Sequence, residues 1–332
     1  MYRFTLSLFA VFLVSLVSLS AQVPAPVAPA SAPTQPAGAA SLAWGHENWG
    51  ALPLAASGLN TSRYVALVLS KHDEANYTRE IVRLQWRAAD PVDIYILLPH
   101  NVTRPAAIVY LYDYRFDSDR FRDDAWCTRA TKDGVAAIGF TTALSLERTR
   151  NRPLKEWFVS ELQEALGTTT HDVQMILNYL SSRGDIDLGR IGIFGQGAGG
   201  AVALLAADVD PRIQAIDLLN PWGDWPDWLK YSRQIPDEER PDYLTPEFLG
   251  RVKNLDPLLS IPRLTTRHLR IQQVLDDTVT PSQARDKIAA AVRAPQLLAR
   301  FNDTAAHAAS WRKSGLSGWL IEQLTATQQP KP

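Results

Sequence analysis

The glycine-rich segment 190–204 constrains the fold of this chain more than any other stretch. Residues 191–194 form a short apolar run of the kind that builds a buried strand. The next six positions hold glycines at 195, 197, 199 and 200, which is typical of a tight turn. Residues 198–207 are small and apolar and include good helix formers. The segment therefore predicts a strand, a sharp turn and a buried helix.

Two known motifs fit this turn. The dinucleotide-binding pattern G-x-G-x-x-G is satisfied by Gly195, Gly197 and Gly200. Asp217 follows about 20 residues after the glycines, where a ribose-binding acid is expected. The nucleophile-elbow pattern G-x-S-x-G is satisfied by Gly195 and Gly199, but Gly197 stands where the serine belongs. The segment alone does not decide between a nucleotide site and an elbow.

The amino terminus predicts export. Arg3 precedes an apolar run at 6–17 and then small residues, which is the pattern of a cleaved signal peptide over 1–21. The run is short for a membrane span of about 20 residues, so we expect a secreted or periplasmic protein with no stable membrane anchor. Residues 22–41 are rich in Ala and Pro and predict an extended linker. The folded domain is expected at 42–328.

Composition narrows the partners and cofactors. The chain of 332 residues carries a net charge of -1, so we expect no nucleic-acid partner, which would need a strong basic excess. Cys127 is the one cysteine, which excludes an internal disulfide and favours a buried apolar role. The six histidines are scattered without a metal-binding spacing, so we expect neither a metal nor another cofactor.

The order of strands and helices favours the elbow. Short, β-rich segments at 64–70, 79–87 and 92–98, separated by turn residues, predict an antiparallel entry to a sheet. The second segment alternates polar and apolar residues, as a half-exposed strand does. Buried strands and helices then alternate, which indicates an α/β fold with a mostly parallel, doubly wound sheet. These later elements are strands at 106–111 and 134–140 and helices at 121–131 and 168–181. A dinucleotide motif opens its domain on the first strand, whereas about five strands precede these glycines.

The second half of the chain continues the alternation with one interruption. The predicted elements are strands at 212–219, 268–275 and 297–301 and helices at 281–292 and 310–324. Residues 222–264 lose the pattern and predict a helical insertion that covers the top of the sheet as a lid. Trp222, Trp225 and Trp228 fall in this insertion. They fit either the packing of a lid against the sheet or an aromatic substrate pocket.

Taken in chain order, these features resemble the α/β-hydrolase superfamily, in its dienelactone hydrolase and prolyl-oligopeptidase-like branch. The resemblance covers residues 78–324 and rests on an elbow, then an acid loop, then a histidine loop. It implies that Gly197 holds the nucleophile position, that Asp277 is the acid with Asp276 in reserve, and that His307 is the base. It also implies that Asp277 and His307 lie within hydrogen-bonding reach of each other below Gly197.

The chain departs from that family at two places. Gly197 has no side chain, so it cannot form the acyl-enzyme that the serine forms. The oxyanion would be held by backbone N–H groups, for which the candidates are Ala198 and the positions after the central strand, Asp113 and Tyr114. A carboxylate at Asp113 that faced the site would repel an oxyanion, whereas one that pointed to solvent or paired with Arg115 would not.

Three functions remain open on these residues. The preferred one is a pseudo-hydrolase that binds a small molecule, a peptide or a partner in the former active-site cleft. The first alternative is an active hydrolase of ester or peptide bonds that uses water activated by His307. The second is a nucleotide-dependent oxidoreductase that uses the turn of Gly195, Gly197 and Gly200.

Overall fold

A mixed β-sheet organises the chain in the computed structural model. The structure describes residues 47–88, 90–113, 118–143, 148, 159 and 161–326, so the predicted signal peptide and linker lie outside it. The strands are β1 (Val65–Asp73), β2 (Tyr77–Gln85), β3 (Val92–Pro99), β4 (Ala107–Leu111), β5 (Ala136–Phe140), β6 (Ile191–Gln196), β7 (Ile213–Leu219), β8 (His268–Val274) and β9 (Leu297–Phe301). They form a nine-stranded sheet in the order β1-β2-β3-β5-β4-β6-β7-β8-β9.

The direction of the strands confirms the predicted antiparallel entry and parallel continuation. β1, β2, β3 and β5 pair antiparallel in that sequence. All the pairs from β5 through β4 and β6 to β9 are parallel. β4 and β5 are buried along their whole length, as expected for apolar strands that are covered on both faces. β1 lies at the edge of the sheet and is exposed over nearly all of its length.

Helices cover both faces of the sheet. The α-helices of the described residues are α1 (Asp124–Thr131), α2 (Leu162–Arg183), α3 (Ala198–Val209), α4 (Trp225–Tyr231), α5 (Arg240–Tyr243), α6 (Pro246–Val252), α7 (Pro257–Ser260), α8 (Ser282–Ala291), α9 (Thr304–Ser310) and α10 (Gly318–Thr325). Successive side chains of a strand point to opposite faces. Val109 and Leu111 of β4 accordingly join the core that includes α2 and α3. Tyr110 joins the separate core formed with α1 and α10.

The insertion after β7 contains α4 to α7, and its tryptophans belong to the core. Trp222, Trp225 and Trp228 are each at most 1% exposed. The ring centroids of Trp222 and Trp228 lie 4.5 Å apart, and those of Trp225 and Trp228 lie 5.8 Å apart. The indole N–H of Trp225 donates to the Leu255 carbonyl oxygen at 2.8 Å. Of the two interpretations of these rings, the structure therefore supports packing.

The prediction of one closing helix over 310–324 is wrong. α9 ends at Ser310, a turn follows, and α10 begins at Gly318. Gly315 in the turn has φ 83°, a conformation that costs glycine little and breaks a helix. The expected histidine loop is helical at this point, since His307 lies on α9, whose first turn is capped by the Asp303 side chain. None of the described helices is long and apolar enough to cross a membrane.

Candidate active site

The turn between β6 and α3 has the geometry of an elbow. Gly197 precedes α3 with φ 53° and ψ -118°, a region that is strained for residues with a side chain. Its N–H donates to the Leu219 carbonyl oxygen of β7 at 3.0 Å. Its own carbonyl oxygen accepts from the Trp222 N–H at 3.1 Å. Backbone hydrogen bonds to the neighbouring strand and its loop therefore hold the predicted sharp turn in place.

The Asp113 carboxylate lies directly in front of this elbow. Asp113 follows β4, the strand that pairs with β6, and its Oδ1 accepts from the Ala198 N–H at 3.0 Å. A Cβ atom built on Gly197 would overlap the Asp113 carboxyl group. The amino terminus of α3 carries partial positive charge, which stabilises a carboxylate at this position. Of the orientations open to Asp113, the structure thus shows the one that faces the site; Tyr114 and Arg115 lie outside the described residues.

The carboxylate of Asp277 holds its own loop together. Oδ1 accepts from the Val279 N–H at 2.9 Å, and Oδ2 accepts from the Thr280 N–H at 3.2 Å. Aspartate often makes such local bonds, which fix a turn after a strand. Asp276, the reserve candidate, is exposed on the same turn. Both oxygens of Asp277 are therefore engaged with backbone amides.

His307 is buried among aromatic rings. Its side chain lies on α9, and the residue is 5% exposed. Its ring centroid is 5.1 Å from that of Phe301 and 6.4 Å from that of Trp311. Burial, together with the nearby positive charge of Arg270, lowers the pKa of His307 below its usual value. Nε2 is buried and has no hydrogen-bond partner among the described residues.

The expected bond between Asp277 and His307 does not form. Within the described ranges, no hydrogen bond or ion pair joins the imidazole to Asp277 or Asp276. The contacts that each side chain makes are elsewhere: the carboxylate of Asp277 accepts from amides of its own loop, and the imidazole of His307 packs against Phe301 and Trp311. The structure therefore brings Gly197, Ala198 and Asp113 together and leaves the acid and the histidine unconnected.

The acid that a dinucleotide site needs is already engaged. Asp217 on β7 is fully buried and pairs with Arg270, whose Nη2 lies 2.6 Å from Oδ2. The side-chain amide of Gln272 also donates to its Oδ1 at 2.9 Å. Both carboxylate oxygens are thus satisfied inside the sheet and unavailable to a ribose. The glycines, moreover, follow β6 in the middle of the sheet rather than its first strand.

Other candidate chemistry is also limited. Cys127 is buried as predicted, and its thiol donates to the Phe121 carbonyl oxygen at 3.3 Å. Burial raises the pKa of this thiol, which keeps it protonated and poorly nucleophilic. In the described part of the chain, no three side chains of His, Cys, Asp or Glu are grouped so that they could hold a metal ion.

The sequence did not predict the strained backbone at 220–224, the segment that is hydrogen-bonded to the elbow through the Trp222 N–H. Asn220 and Asp224 adopt positive φ angles of 45° and 55°, which cost a non-glycine residue free energy and concentrate near functional sites. The side-chain oxygen of Asn220 accepts from the Val274 N–H of β8 at 2.8 Å. Lys287 forms ion pairs of 2.8 Å with Asp224 and Asp227. The Asn-Pro pair at 220–221 signals a turn, but it does not specify these angles.

Solved structures with the same fold include esterases and peptidases. Acetyl xylan esterase 1 from Thermoanaerobacterium sp. JW/SL YS485 matches with a TM-score of 0.65 and 11% identity, over 80% of this chain and 90% of that chain. An acetyl xylan esterase from Paenibacillus sp. R4 matches with a TM-score of 0.59 and 14% identity, over 73% and 82%. The acylaminoacyl peptidase of Pyrococcus horikoshii matches with a TM-score of 0.61 and 14% identity, over 78% of this chain and 44% of that chain.

These likenesses and the sheet order show the α/β-hydrolase fold. These neighbours are acetyl xylan esterases and an acylaminoacyl peptidase, and they share the fold that the sequence resemblance implied. No protein-family model and no curated protein matches the chain. At sequence identities of 11% to 14%, the structural likeness extends to the fold alone. No substrate is therefore carried over from these neighbours.

Proposed function

We propose that this α/β-hydrolase-fold protein binds a ligand or a partner in the elbow cleft and lacks serine-hydrolase chemistry. The position of the Asp113 carboxylate carries the proposal. The carboxylate accepts the Ala198 N–H and fills the space that a side chain at position 197 would need. The elbow thus has no nucleophile, and a carboxylate of the same chain stands in its place.

The electrostatics of the elbow support the proposal. In serine hydrolases the N–H that follows the nucleophile binds the oxyanion, and removing one such donor costs about 10²–10³ in rate. Here the Ala198 N–H is engaged by Asp113. Two unit negative charges about 4 Å apart repel each other by roughly 4 kcal/mol at an effective dielectric constant of about 20. The elbow therefore opposes the negative charge that acyl transfer develops.

Probe labelling tests the proposal on the intact protein. We expect no reaction of the wild type with a fluorophosphonate probe and no hydrolysis of p-nitrophenyl acetate above the buffer rate. Gly197→Ser alone stays unlabelled because the new side chain collides with Asp113. In Asp113→Ala/Gly197→Ser the serine has room, but it stays unlabelled because Asp277 and His307 are not connected.

An active serine hydrolase run with the same probe controls the assay, and thermal melting shows which variants are folded. Labelling of the double variant would show that the acid and the histidine assemble once the carboxylate of Asp113 is removed. Labelling or robust turnover by the wild type would overturn the noncatalytic proposal.

One observation favours hydrolysis by activated water as a second candidate. The buried Nε2 of His307 lacks a partner among the described residues, and its lowered pKa keeps the imidazole neutral at pH 7, the state of a general base. This candidate ranks second because no carboxylate of the described residues is hydrogen-bonded to the ring. It requires ester turnover by the wild type that His307→Ala abolishes and His268→Ala preserves.

We also propose that the protein is exported, on the signal-peptide pattern of residues 1–21. The mature chain is then expected to begin near Ala21 or Gln22. Intact-mass analysis of protein recovered from outside the cytoplasm measures this directly. A mature mass that still includes residues 1–19 would contradict the proposal.

A further inference from the structure

A cavity of about 330 Å³ lies on the face of the sheet that carries α1 and α10. Among the described residues, β4 contributes Tyr110 and the segment just after it Tyr112, α1 and its approach contribute Arg120, Trp126 and Arg129, and the turn between α9 and α10 contributes Trp311. We call this cavity the α1–α10 pocket. Tyr110 belongs to the core of α1 and α10, whereas the elbow helix α3 packs in the other core. The pocket and α3 therefore pack against different cores, on opposite faces of β4.

The break between α9 and α10 shapes one wall of this pocket. Residues 314–318 of the turn line it, with Gly315 at φ 83°. The hydroxyl groups of Tyr110 and Ser317 are hydrogen-bonded at 3.1 Å and so tie the turn to β4. A single helix over 310–324, as the sequence predicts, would lack this turn. The pocket therefore depends on the feature that sequence reasoning missed.

The floor of the pocket is aromatic. The rings of Tyr110 and Tyr112 stack with centroids 6.1 Å apart, and Trp126 meets Tyr110 edge-on at 5.2 Å. Burial raises the pKa values of both tyrosines, so their hydroxyls stay neutral. A flat apolar ring gains favourable contacts against such a surface. The volume lies at the low end of the range for small-molecule pockets, about 300–1,000 Å³, and suits a single substituted ring.

Positive charge surrounds this aromatic floor. Arg120, Arg129 and Lys132 line the pocket against a single acid, Asp133, which pairs with Lys132 at 3.9 Å. The guanidinium of Arg120 is stacked on the Tyr112 ring at 3.4 Å. Arg129 is exposed and forms no ion pair with any described residue. The excess of basic groups favours an anion and disfavours a cation.

One hydrogen-bond donor at the pocket is unused. Trp311 lines the pocket, and its indole N–H is buried without a partner among the described residues. A buried donor without an acceptor costs about 1–3 kcal/mol, and a ligand acceptor that reaches this N–H would recover that cost. An aromatic floor, a basic rim and an unpaired donor together match a ring that carries an acceptor anion. We propose that the α1–α10 pocket binds a small aromatic carboxylate.

Calorimetric titration with benzoate, benzyl alcohol and benzylamine tests this proposal. The three probes share the ring and differ in charge. We expect benzoate to bind with a dissociation constant below about 1 mM and at least about tenfold more tightly than either of the others. Failure of benzoate to bind at millimolar concentration, or equal binding of benzylamine, would overturn the proposal.

Two variants with matched controls place the binding in this pocket. Arg129→Gln should weaken benzoate at least about tenfold, whereas Arg312→Gln, an exposed arginine that does not line the pocket, should not. Ala130→Phe fills the pocket and should abolish binding, whereas Ala125→Phe, exposed on the same helix, should not. Thermal melting checks that Ala130→Phe is folded. Benzoate affinity that neither Arg129→Gln nor Ala130→Phe changes would refute the assignment.

Discussion

The two sides of the candidate active site differ in what holds them. On the elbow side, backbone hydrogen bonds from Gly197 to β7 and to the segment after it fix the turn. On the other side, the expected link between Asp277 and His307 would depend on one contact between two side chains, and each has another partner or environment. The packing and hydrogen bonds of the sheet are enough to hold the backbone of the elbow in place. A catalytic pair needs an additional contact that the fold does not enforce.

The largest expected effect concerns the frame of the elbow. A Cβ on Gly199 would overlap the backbone carbonyl of Leu111, which belongs to a buried strand and cannot move aside. We expect Gly199→Ala to lower the free energy of unfolding by about 3 kcal/mol. Gly250→Ala is the matched control, since nothing lies within 4 Å of its added Cβ on helix α6. Helix propensity should make that variant more stable by up to about 1 kcal/mol.

Urea unfolding of both variants provides the measurement. A Gly199→Ala protein as stable as the wild type would mean that the backbone around the elbow moves to accept the added Cβ. The backbone of the elbow would then be no more firmly held than the side chains of Asp277 and His307.

A smaller effect is expected where the frame meets Asp113. Gly197→Ser should lower the free energy of unfolding by about 1–3 kcal/mol in total, from backbone strain and from the contact of its Cβ with the Asp113 carboxyl group, which is the end of a side chain and can move aside. Adding Asp113→Ala should recover the steric part. The double-mutant cycle is therefore expected to show a coupling of about 0.5–3 kcal/mol. Strictly additive losses would contradict the close approach of Asp113 to position 197.

The acid loop should behave as a structural turn. Asp277→Ala removes two hydrogen bonds to the Val279 and Thr280 amides and should cost about 1–2 kcal/mol of stability. Asp276→Ala, on the exposed neighbour, should stay within about 0.5 kcal/mol of the wild type. Equal stability of the two variants would show that the Asp277 carboxylate is not needed for its loop.

The sequence predicts the frame of the fold well because strands and helices follow local patterns. The apolar run before Gly195 and the small residues after it specify β6, the elbow and α3. The periodic pattern predicts one closing helix where there are two, because it contains no information about the positive φ that Gly315 adopts in the turn between them. Boundaries such as the early start of α2 at Leu162 depend on packing and lie beyond local patterns.

The candidate site is harder to predict because it depends on where side chains point. The position of Asp113 beside the elbow follows from chain order, but its orientation toward the Ala198 N–H does not. The acid loop likewise follows β8, where the resemblance places it. The chain order does not predict that the Asp277 carboxylate accepts from the Val279 and Thr280 amides and makes no bond with His307. The α1–α10 pocket joins three distant segments, and no motif in the sequence connects them.

The smallest expected effect is a pH dependence from His307. Its pKa in the folded protein is lowered by burial and by the positive charge of Arg270, whereas in the unfolded chain it is about 6.5. Below that value the unfolded chain binds more protons, so the stabilisation is complete above about pH 6.5 and is lost as the pH falls toward the folded pKa. One proton changes the free energy of unfolding by at most about 1.4 kcal/mol per pH unit.

His307→Phe keeps an aromatic ring between Phe301 and Trp311 but removes the titration, so its stability should fall less between pH 7.5 and pH 5. His72→Phe, exposed on β1, controls for the loss of one imidazole and should follow the wild type. Urea unfolding at the two pH values measures the difference, and an equal fall in the wild type and His307→Phe would mean that His307 is not buried in the neutral form.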